Sequence, residues 1–274
     1  AHLRQTVSSD RECQRHSGGG RKSTLSSIAD KLLFILHYCK NYPLQEVLGF
    51  EFGMSQECAC EWVHRLSRVL QQTLATLKEL PERVSTQLAR HLAQSGESKF
   101  GIDGTERKIQ RPKDKEAQTQ YYSGKKRAHT VKNDIIATLK SRQVKYLSQT
   151  YEGKKHDNKI VDEEQPTYPK GSTLYKDTGF QGYEPADVKT VQPKKKPRGG
   201  ELSAKDKERN HRISKVRIGV EHVIAGVKRC RVVKDILRNT KDKYDDLVME
   251  IACGLHNFRT KRRSKFKGAI PYFR

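Results

Sequence analysis

The sequence predicts an α/β protein in which a small all-helical unit precedes a mixed five-stranded sheet with flanking helices. Apolar residues recur at helical spacing from residue 23 to about residue 80, which predicts the helical unit. Short runs with the composition of strands follow between Lys99 and Gln192, and helical spacing returns from Ser203 to Phe258. This order predicts one sheet covered by helices, and 274 residues are enough for both units.

Three helices are predicted before residue 80. Thr24 or Ser26 can cap the first helix, which ends near Asn41. A short second helix covers residues 44–50, and Ser55 caps a longer third helix. Three helices of these lengths predict a helix-turn-helix, in which the first turn of the third helix faces the DNA major groove. The alternative is a helical bundle that packs only against the sheet or against another subunit.

The charge of the chain indicates a polyanionic partner. It holds 55 Lys and Arg against 32 Asp and Glu, which gives a net charge of +23 and an isoelectric point near 9.8. Nucleic acid is the expected partner, and a ribosomal-type or membrane-surface protein is the alternative. No segment approaches the ~18 consecutive apolar residues of a membrane-spanning helix, and no signal peptide is evident, so we expect a soluble intracellular protein.

Candidate DNA contacts lie in both units. In a helix-turn-helix, Ser55 and Gln56 would lie near base edges, and Arg65 or Arg68 nearer phosphates. Two basic runs flank strands of the second unit, where such side chains contact phosphates without reading the DNA sequence. These runs contribute the candidates Lys125, Lys126, Lys194, Lys195, Lys196 and Arg198.

One predicted helix, residues 203–229, places a carboxylate between two cations. Glu221 lies four residues after Arg217 and seven before Lys228, so the three charged groups share one helix face. The neighbouring apolar stripe puts Glu221 at the edge of the buried face, from which it can point into a cleft. The alternative is a helix whose glutamate only pairs with the nearby cations.

Two further acids end predicted strands. Asp103 lies at the end of the first strand and Asp177 at the end of the fourth. One acid at the end of each of two strands, together with one from a later helix, is the arrangement that a two-metal site requires. The sequence therefore predicts that Asp103, Asp177 and Glu221 form one site.

The motif around Glu221 resembles that of DDE transposases of the insertion-sequence-five group, the bacterial relatives of the Harbinger transposases. The signature of that group is Tyr, two residues, Arg, three residues, Glu, six residues and Lys. Arg217, Glu221 and Lys228 fit this spacing, and Ser214 stands at the position of the Tyr. The resemblance extends to three further segments, so it spans most of the chain: residues 121–127, 193–200 and 254–259.

The resemblance implies an RNase-H-like fold, and the predicted order of three strands, a helix, two strands and further helices agrees with it. In that fold the first and fourth strands are neighbours, so Asp103 and Asp177 meet at one sheet edge. Glu221 then arrives from a helix packed across the sheet. The five predicted strands are residues 99–103, 128–138, 143–150, 172–177 and 188–192.

The resemblance also implies a metal-dependent reaction. Asp103 is expected to bridge two divalent cations, Asp177 to bind one and Glu221 the other, with Mg²⁺ as the cation and Mn²⁺ as its substitute. Two such ions activate a water or a DNA 3′-hydroxyl and stabilise the leaving oxygen. Arg217 and Lys228 would orient Glu221 or grip the phosphate beside the scissile bond. The six cysteines show no CxxC pair, so no zinc site is expected.

The predicted function is that of a transposase, which binds the terminal inverted repeats of an insertion sequence, cleaves the ends, and joins the 3′-hydroxyl to target DNA. Its expected partners are double-stranded DNA at the ends and the target, and further copies of itself in a homodimer or higher oligomer. The alternatives are a catalytically inactive transposase-derived DNA-binding protein and an RNase-H-like nuclease without strand transfer. We expect it in the cytoplasm or nucleoid of a prokaryote, or in the nucleus of a eukaryotic host.

Two other acids have a structural interpretation. Glu106 is a turn residue or a residue that contacts the metal ligands without binding the metal itself. Asp157 caps a helix that continues through Val161. The predicted organisation has five segments: a flexible lead-in (1–22), a helix-turn-helix DNA-binding domain (23–80), a helical connector (81–97), an RNase-H-like catalytic domain (98–260) and a basic tail (261–274).

Overall fold

The computed structural model describes residues 23–263. The predicted lead-in 1–22 and residues 264–274 of the predicted tail lie outside the described residues. The described part begins with the three expected helices: α1 (Ile28–Asn41), α2 (Gln45–Glu51) and α3 (Gln56–Thr76).

The caps of these helices explain where they begin. Ser27 caps α1 in a capping box, because its hydroxyl accepts a hydrogen bond from Asp30 N while the Asp30 carboxylate accepts one from Ser27 N. The cap is therefore Ser27, and the prediction of Thr24 or Ser26 is wrong. Ser55 caps α3 as predicted, since its hydroxyl accepts a hydrogen bond from the backbone N–H of Cys58.

The second unit is built on one mixed sheet. Its strands in the described chain are β1 (Lys99–Lys108), β2 (Tyr122–Ser123), β3 (Ala128–Thr138), β4 (Val144–Leu147), β5 (Tyr151–Glu152), β6 (Thr173–Tyr175) and β7 (Lys189–Val191). The main strands lie in the order β4-β3-β1-β6-β7, with β1 antiparallel to β3 and parallel to β6. This order confirms the RNase-H-like fold and the pairing of the first and fourth predicted strands. The short strands β2 and β5 were not predicted, and both pair with β3.

Helices cover both faces of the sheet. They are α4 (Leu88–Ala93), α5 (Lys115–Tyr121), α6 (Asp157–Glu164), α7 (Ala204–Val227), α8 (Arg231–Lys234) and α9 (Tyr244–Arg263). Short 3-10 turns at Ser85–Gln87 and Thr178–Phe180 complete the structure. No helix in residues 23–263 is long and apolar enough to cross a bilayer.

Alternation along the strands separates two apolar cores. Ile135 and Ala137 of β3 pack with α7, α9 and the three N-terminal helices. Phe100, Ile102 and Ile136 point to the other face, where they pack with α4, α6 and Phe180. The first core is shared between the two predicted domains.

Helix α7 approaches β1 closely at a glycine. A Cβ at Gly101 would lie 3.2 Å from the Cβ of Val220 and 3.1 Å from a methyl carbon of Leu139. The absence of a side chain at Gly101 therefore lets α7 lie directly on the strand that carries Asp103. This contact fixes the position of Glu221, the next residue on α7.

Candidate active site

The candidate site lies where β6 stops pairing with β1. β6 pairs with β1 only from Lys99 to Gly101, whereas β1 continues to Lys108. Asp103 lies two residues beyond the last pair on β1, and Asp177 lies two residues beyond the end of β6. The two acids therefore lie at the same level of one sheet edge, as the sequence predicts.

Asp177 begins a 3-10 turn directly after β6. Its Oδ1 accepts a hydrogen bond of 2.7 Å from Thr178 N, which caps the turn. Its backbone oxygen accepts a hydrogen bond of 3.0 Å from the Gln192 amide, which ties the acid to the end of β7. These contacts hold the backbone of Asp177, while its side chain remains 44 % exposed to the cleft.

Arg217 reaches Asp177 from α7. Its Nη1 lies 3.2 Å from Asp177 Oδ1, and its side chain is 10 % exposed. Its Nε is buried and has no hydrogen-bond partner among the described residues. Arg217 was expected to orient Glu221 or grip the phosphate, and its contact with Asp177 was not foreseen.

Asp103 is the most deeply placed of the three acids. Burial raises the pKa of Asp103 to about 6, and the positive charge of Arg217 opposes this increase. The negative charges of Asp177 and Glu221 raise the pKa further. Asp103 therefore lies within electrostatic range of both other acids and of Arg217, so the structure brings the predicted residues to one cleft.

Glu221 completes this cleft from the surface of α7. Its neighbour Val220 is fully buried, whereas Glu221 is exposed. The boundary of the buried helix face thus falls between these two residues, as the sequence predicts. Within residues 23–263, the Glu221 carboxylate makes no hydrogen bond or ion pair, which leaves its oxygens available to a ligand.

Lys228 contacts the open edge of β1. Its Nζ donates a hydrogen bond of 3.0 Å to the backbone oxygen of Glu106. Burial lowers the pKa of Lys228, and the nearby charge of Lys126 acts in the same direction. The second cation of the signature therefore supports the β1 edge that carries Asp103, in a contact between residues far apart in the chain.

The donors of the cleft suit hard divalent cations, because all three candidate ligands are carboxylates. Burial and the charges of Asp177 and Glu221 raise the pKa of Asp103, and a bound cation would favour its ionised form. No three His, Cys, Asp or Glu side chains in the described chain are close enough to form a ready-made metal site. Mg²⁺ often binds through one or two carboxylates and takes its other ligands from water and phosphate, so the residues fit such an ion.

A second charged cluster lies on the opposite face of the sheet. Lys132 of β3 lies 3.2 Å from Asp157 and 3.5 Å from Glu106. His156 occupies the N-cap of α6, so the interpretation of Asp157 as the cap is wrong. Glu106 lies within β1 rather than in a turn. No pattern in the sequence points to this cluster, because Lys132 is one of many lysines.

Asp134 is buried beside that cluster. Burial and the charge of Asp157 raise the pKa of Asp134 well above its usual value. Its two carboxylate oxygens have no hydrogen-bond partner among the described residues. A neutral carboxyl group is therefore favoured at this position.

The candidate DNA contacts of the helical unit lie at the start of α3. The Ser55 hydroxyl accepts the capping hydrogen bond, and Gln56 is exposed beside it. The Arg65 guanidinium lies 5.3 Å from the centre of the Trp62 ring, and Lys31 approaches the same ring. Trp62 is half-buried and packs against the core.

The two basic runs lie in exposed loops. Lys125 and Lys126 lie in the connection between β2 and β3. The loop after β7 exposes the second run, in which Lys194 forms an ion pair of 2.7 Å with Asp206. The exposed residues of that run are Lys194, Lys195, Lys196 and Arg198.

Comparison with known proteins identifies the family. Residues 102–257 match the family described as DDE superfamily endonuclease. The chain belongs to the DDE superfamily endonucleases. Residues 23–76 match the helix-turn-helix of DDE superfamily endonucleases, which confirms the prediction for the N-terminal helices. No solved structure matches the chain.

A relative with a transposase description supports the same assignment. This DDE endonuclease is 27% identical over 243 residues to a "Probable transposase for insertion sequence element IS702" from Microchaete diplosiphon, which covers 87% of this chain and 83% of the relative. Family and relative together place the chain among transposases of the DDE type, which use divalent metal ions. The helix-turn-helix indicates DNA as the partner.

Proposed function

We propose that this DDE endonuclease is an active transposase, which binds the terminal inverted repeats of an insertion sequence, hydrolyses a phosphodiester bond at each end, and joins the freed 3′-hydroxyl to target DNA. The observation that carries the proposal is the convergence of Asp103, Asp177 and Glu221 on one cleft. Three carboxylates in one cleft repel one another, which destabilises the folded protein unless cations are bound. A protein that only binds DNA has no use for such an arrangement.

Each acid has a distinct role in holding the metal. Asp103, whose charge interacts with those of the other two acids, would be the ligand shared by two cations, while Asp177 would bind one and Glu221 the other. Mg²⁺ is the proposed cation and Mn²⁺ its substitute; when bound, the pair activates a water or 3′-hydroxyl and stabilises the leaving oxygen. The chain itself then needs no general base.

The cations of the cleft act on the acids and on DNA. Arg217 holds the Asp177 carboxylate and offsets part of its charge. Lys228 fixes the open edge of β1 through the Glu106 carbonyl group. Both would lie beside the scissile phosphate and stabilise its negative charge.

DNA recognition is divided between the two units. We assign base contacts to Ser55 and Gln56 and a phosphate contact to Arg65. The exposed runs around Lys125 and Lys195 would contact the backbone of the element end or of target DNA. Because two ends are processed together, the working form is a homodimer or a higher oligomer on DNA. The proposed location is the cytoplasm or nucleoid, or the nucleus if the host is eukaryotic.

The decisive experiment compares cleavage of a labelled duplex that carries the element end. Wild type, Glu221→Gln and the control Glu208→Gln are each incubated with Mg²⁺, Mn²⁺ or EDTA. Glu208 is an exposed glutamate on the same helix, and its side chain is 70 % exposed. Both substitutions remove one negative charge from α7, so only their positions differ.

We expect metal-dependent cleavage by wild type and by Glu208→Gln, and none by Glu221→Gln although it still binds the duplex. Transfer of the labelled 3′ end into a second duplex would establish strand transfer. Cleavage without transfer would indicate a nuclease, and binding without cleavage by any of the proteins would indicate an inactive derivative.

A further inference from the structure

A groove runs along the junction between the helical unit and the sheet. Two adjoining open cavities of about 750 and 530 Å³ form it, and both are lined by Tyr42 and Arg238. One cavity continues to the start of α3 at Gln56. The other continues to the end of β1 at Lys108. We call these two cavities together the junction groove.

The charged lining of the junction groove is mostly basic. Two acids line it, Glu46 and Asp235, and Asp235 is held by Arg231 at 2.8 Å. The basic lining residues are Lys108, Arg111, Lys234, Arg238 and Lys241. Within residues 23–263, the side chains of Lys108 and Lys234 form no ion pair, so their charges are available to an anion.

Hydrogen bonds hold the walls of the junction groove, and those of Arg238 join the two units. The Arg238 guanidinium donates to the backbone oxygens of Tyr42 and Pro43 at 2.6 and 2.7 Å. It also lies 4.0 Å from the centre of the Tyr42 ring. On the other side, Leu237 N donates a hydrogen bond of 2.9 Å to the Lys108 carbonyl group. The groove is thus a fixed feature rather than a gap between independent units.

The junction groove joins the start of α3 to the strand that carries Asp103. Lys108 and Asp103 lie on the same strand, five residues apart. At about 3.3 Å per residue this separation is roughly 16 Å. With about 3.4 Å between phosphates along one DNA strand, it corresponds to roughly 5 base pairs.

We propose that the junction groove binds the phosphate backbone of the DNA duplex between its contacts with α3 and the bond cut at Asp103. This inference rests on the proposed function and adds a backbone contact that neither basic run supplies. The basic lining matches the negative charge of DNA, and an apolar or basic partner would find few complementary groups there. The groove thereby sets the spacing between the recognised sequence and the cleaved bond.

The test measures how DNA binding depends on salt. The groove variant is Lys108→Gln with Lys234→Gln. The matched control is Lys140→Gln with Lys189→Gln, two exposed lysines near the opposite end of the sheet. Fluorescence anisotropy gives the dissociation constant for a ~30-base-pair duplex of arbitrary sequence in EDTA at several salt concentrations, since phosphate contacts are independent of sequence.

We plot the logarithm of the dissociation constant against the logarithm of the salt concentration. The groove variant should lower the slope of this plot by about 1.8, because each of its two lost phosphate contacts contributes about 0.9. The control should keep the wild-type slope, and thermal unfolding should show that both variants are folded. A groove variant with the wild-type slope would overturn this inference, and if wild type still cleaves DNA, the proposed function survives. Failure of wild type to bind any DNA would overturn both.

Discussion

Arg217 determines the charge balance of the catalytic cleft. It forms an ion pair with Asp177 and lowers the pKa of Asp103 against the effect of burial. In the absence of metal, this guanidinium is the counter-ion of two carboxylates that the proposed function assigns to metal binding. Arg217 and a divalent cation therefore compete for the same negative charge.

We expect Arg217→Gln to bind Mn²⁺ about tenfold more tightly than wild type, because removal of a nearby positive charge reduces repulsion of the ion. The same substitution should lower the stability of the metal-free protein, since two acids lose their counter-ion. Arg217→Lys keeps the charge and serves as control. Isothermal titration calorimetry measures the affinity. Weaker Mn²⁺ binding by Arg217→Gln would show instead that Arg217 orders the ligands.

Asp103 gives a pH-dependent prediction. Because its pKa rises from 3.8 unfolded to about 6 folded, the folded state binds this proton more tightly, and its stabilising effect is lost as the pH rises from about 4 through 6. In EDTA, Asp103→Asn should therefore exceed wild type in free energy of unfolding by up to roughly 3 kcal/mol at pH 8 and differ little at pH 4. Urea unfolding at both pH values measures this.

The control for that experiment is Asp187→Asn, which changes an exposed carboxylate just before β7, at the end of that strand pair away from Asp177. It should show the same small difference from wild type at both pH values. An Asp103→Asn effect that does not vary with pH would contradict the assignment. Asp103→Asn should also abolish cleavage, so that the protein gains stability where it loses activity.

The contact between α7 and β1 is the element on which the geometry of the cleft depends. Gly101 of β1 and Gly219 of α7 both lie against Leu139, and Val220 lies against Gly101. The third acid therefore reaches the first through a helix that packs closely on the strand, because Gly101 adds no side chain of its own to the contact. A small displacement of α7 would move Glu221 relative to Asp103.

Gly101→Ala tests this contact. The added methyl group would lie 3.2 Å from Val220 Cβ, so α7 must move outward by a few tenths of an ångström. We expect a loss of stability of about 1–3 kcal/mol, as for overpacked cores, and a larger decrease in cleavage rate than in DNA affinity. Gly124→Ala is the control, since a Cβ there meets nothing within 4 Å. Unchanged cleavage by Gly101→Ala would show that α7 tolerates the shift.

The elements whose patterns are local could be predicted from the sequence. The three N-terminal helices, β3 and the two long C-terminal helices follow from periodicity and caps such as Ser55. β1 was predicted to end at Asp103, yet it continues to Lys108, because pairing with β3 sustains it past the charged residues. The helix α5 and the two-residue strands were missed, since their short segments carry no periodic apolar pattern.

The candidate site was predictable in its residues but not in its contacts. The acids were identified from their places in strands and helix and from the spacing around Glu221. The pairing of Arg217 with Asp177 and of Lys228 with the Glu106 carbonyl group depends on how α7 crosses the sheet. Spacing along one helix indicates which side chains share a face, but not which distant residue lies opposite.

At the scale of the whole molecule, the helix-turn-helix and the catalytic unit share one apolar core. Leu66, Leu70 and Leu74 of α3 pack in the same cluster as Val248 and Ile251 of α9. A Cβ at Gly254 of α9 would lie 3.0 Å from a methyl carbon of Leu74. Deletion of the N-terminal helices would therefore expose the core of the catalytic unit, so point variants are the better means of separating recognition from cleavage.

A shared core predicts that both units unfold in one transition. Trp62 is the single tryptophan of the sequence and lies in α3, so its fluorescence reports on the helical unit, whereas the far-ultraviolet circular dichroism reports on both. We expect the two signals to coincide in urea. Leu74→Ala should shift both midpoints together, with a loss of about 2–5 kcal/mol, since the cavity would open within the common core. If the units were independent, Leu74→Ala would shift only the midpoint of the Trp62 fluorescence transition. The circular dichroism of the second unit would then keep its wild-type midpoint.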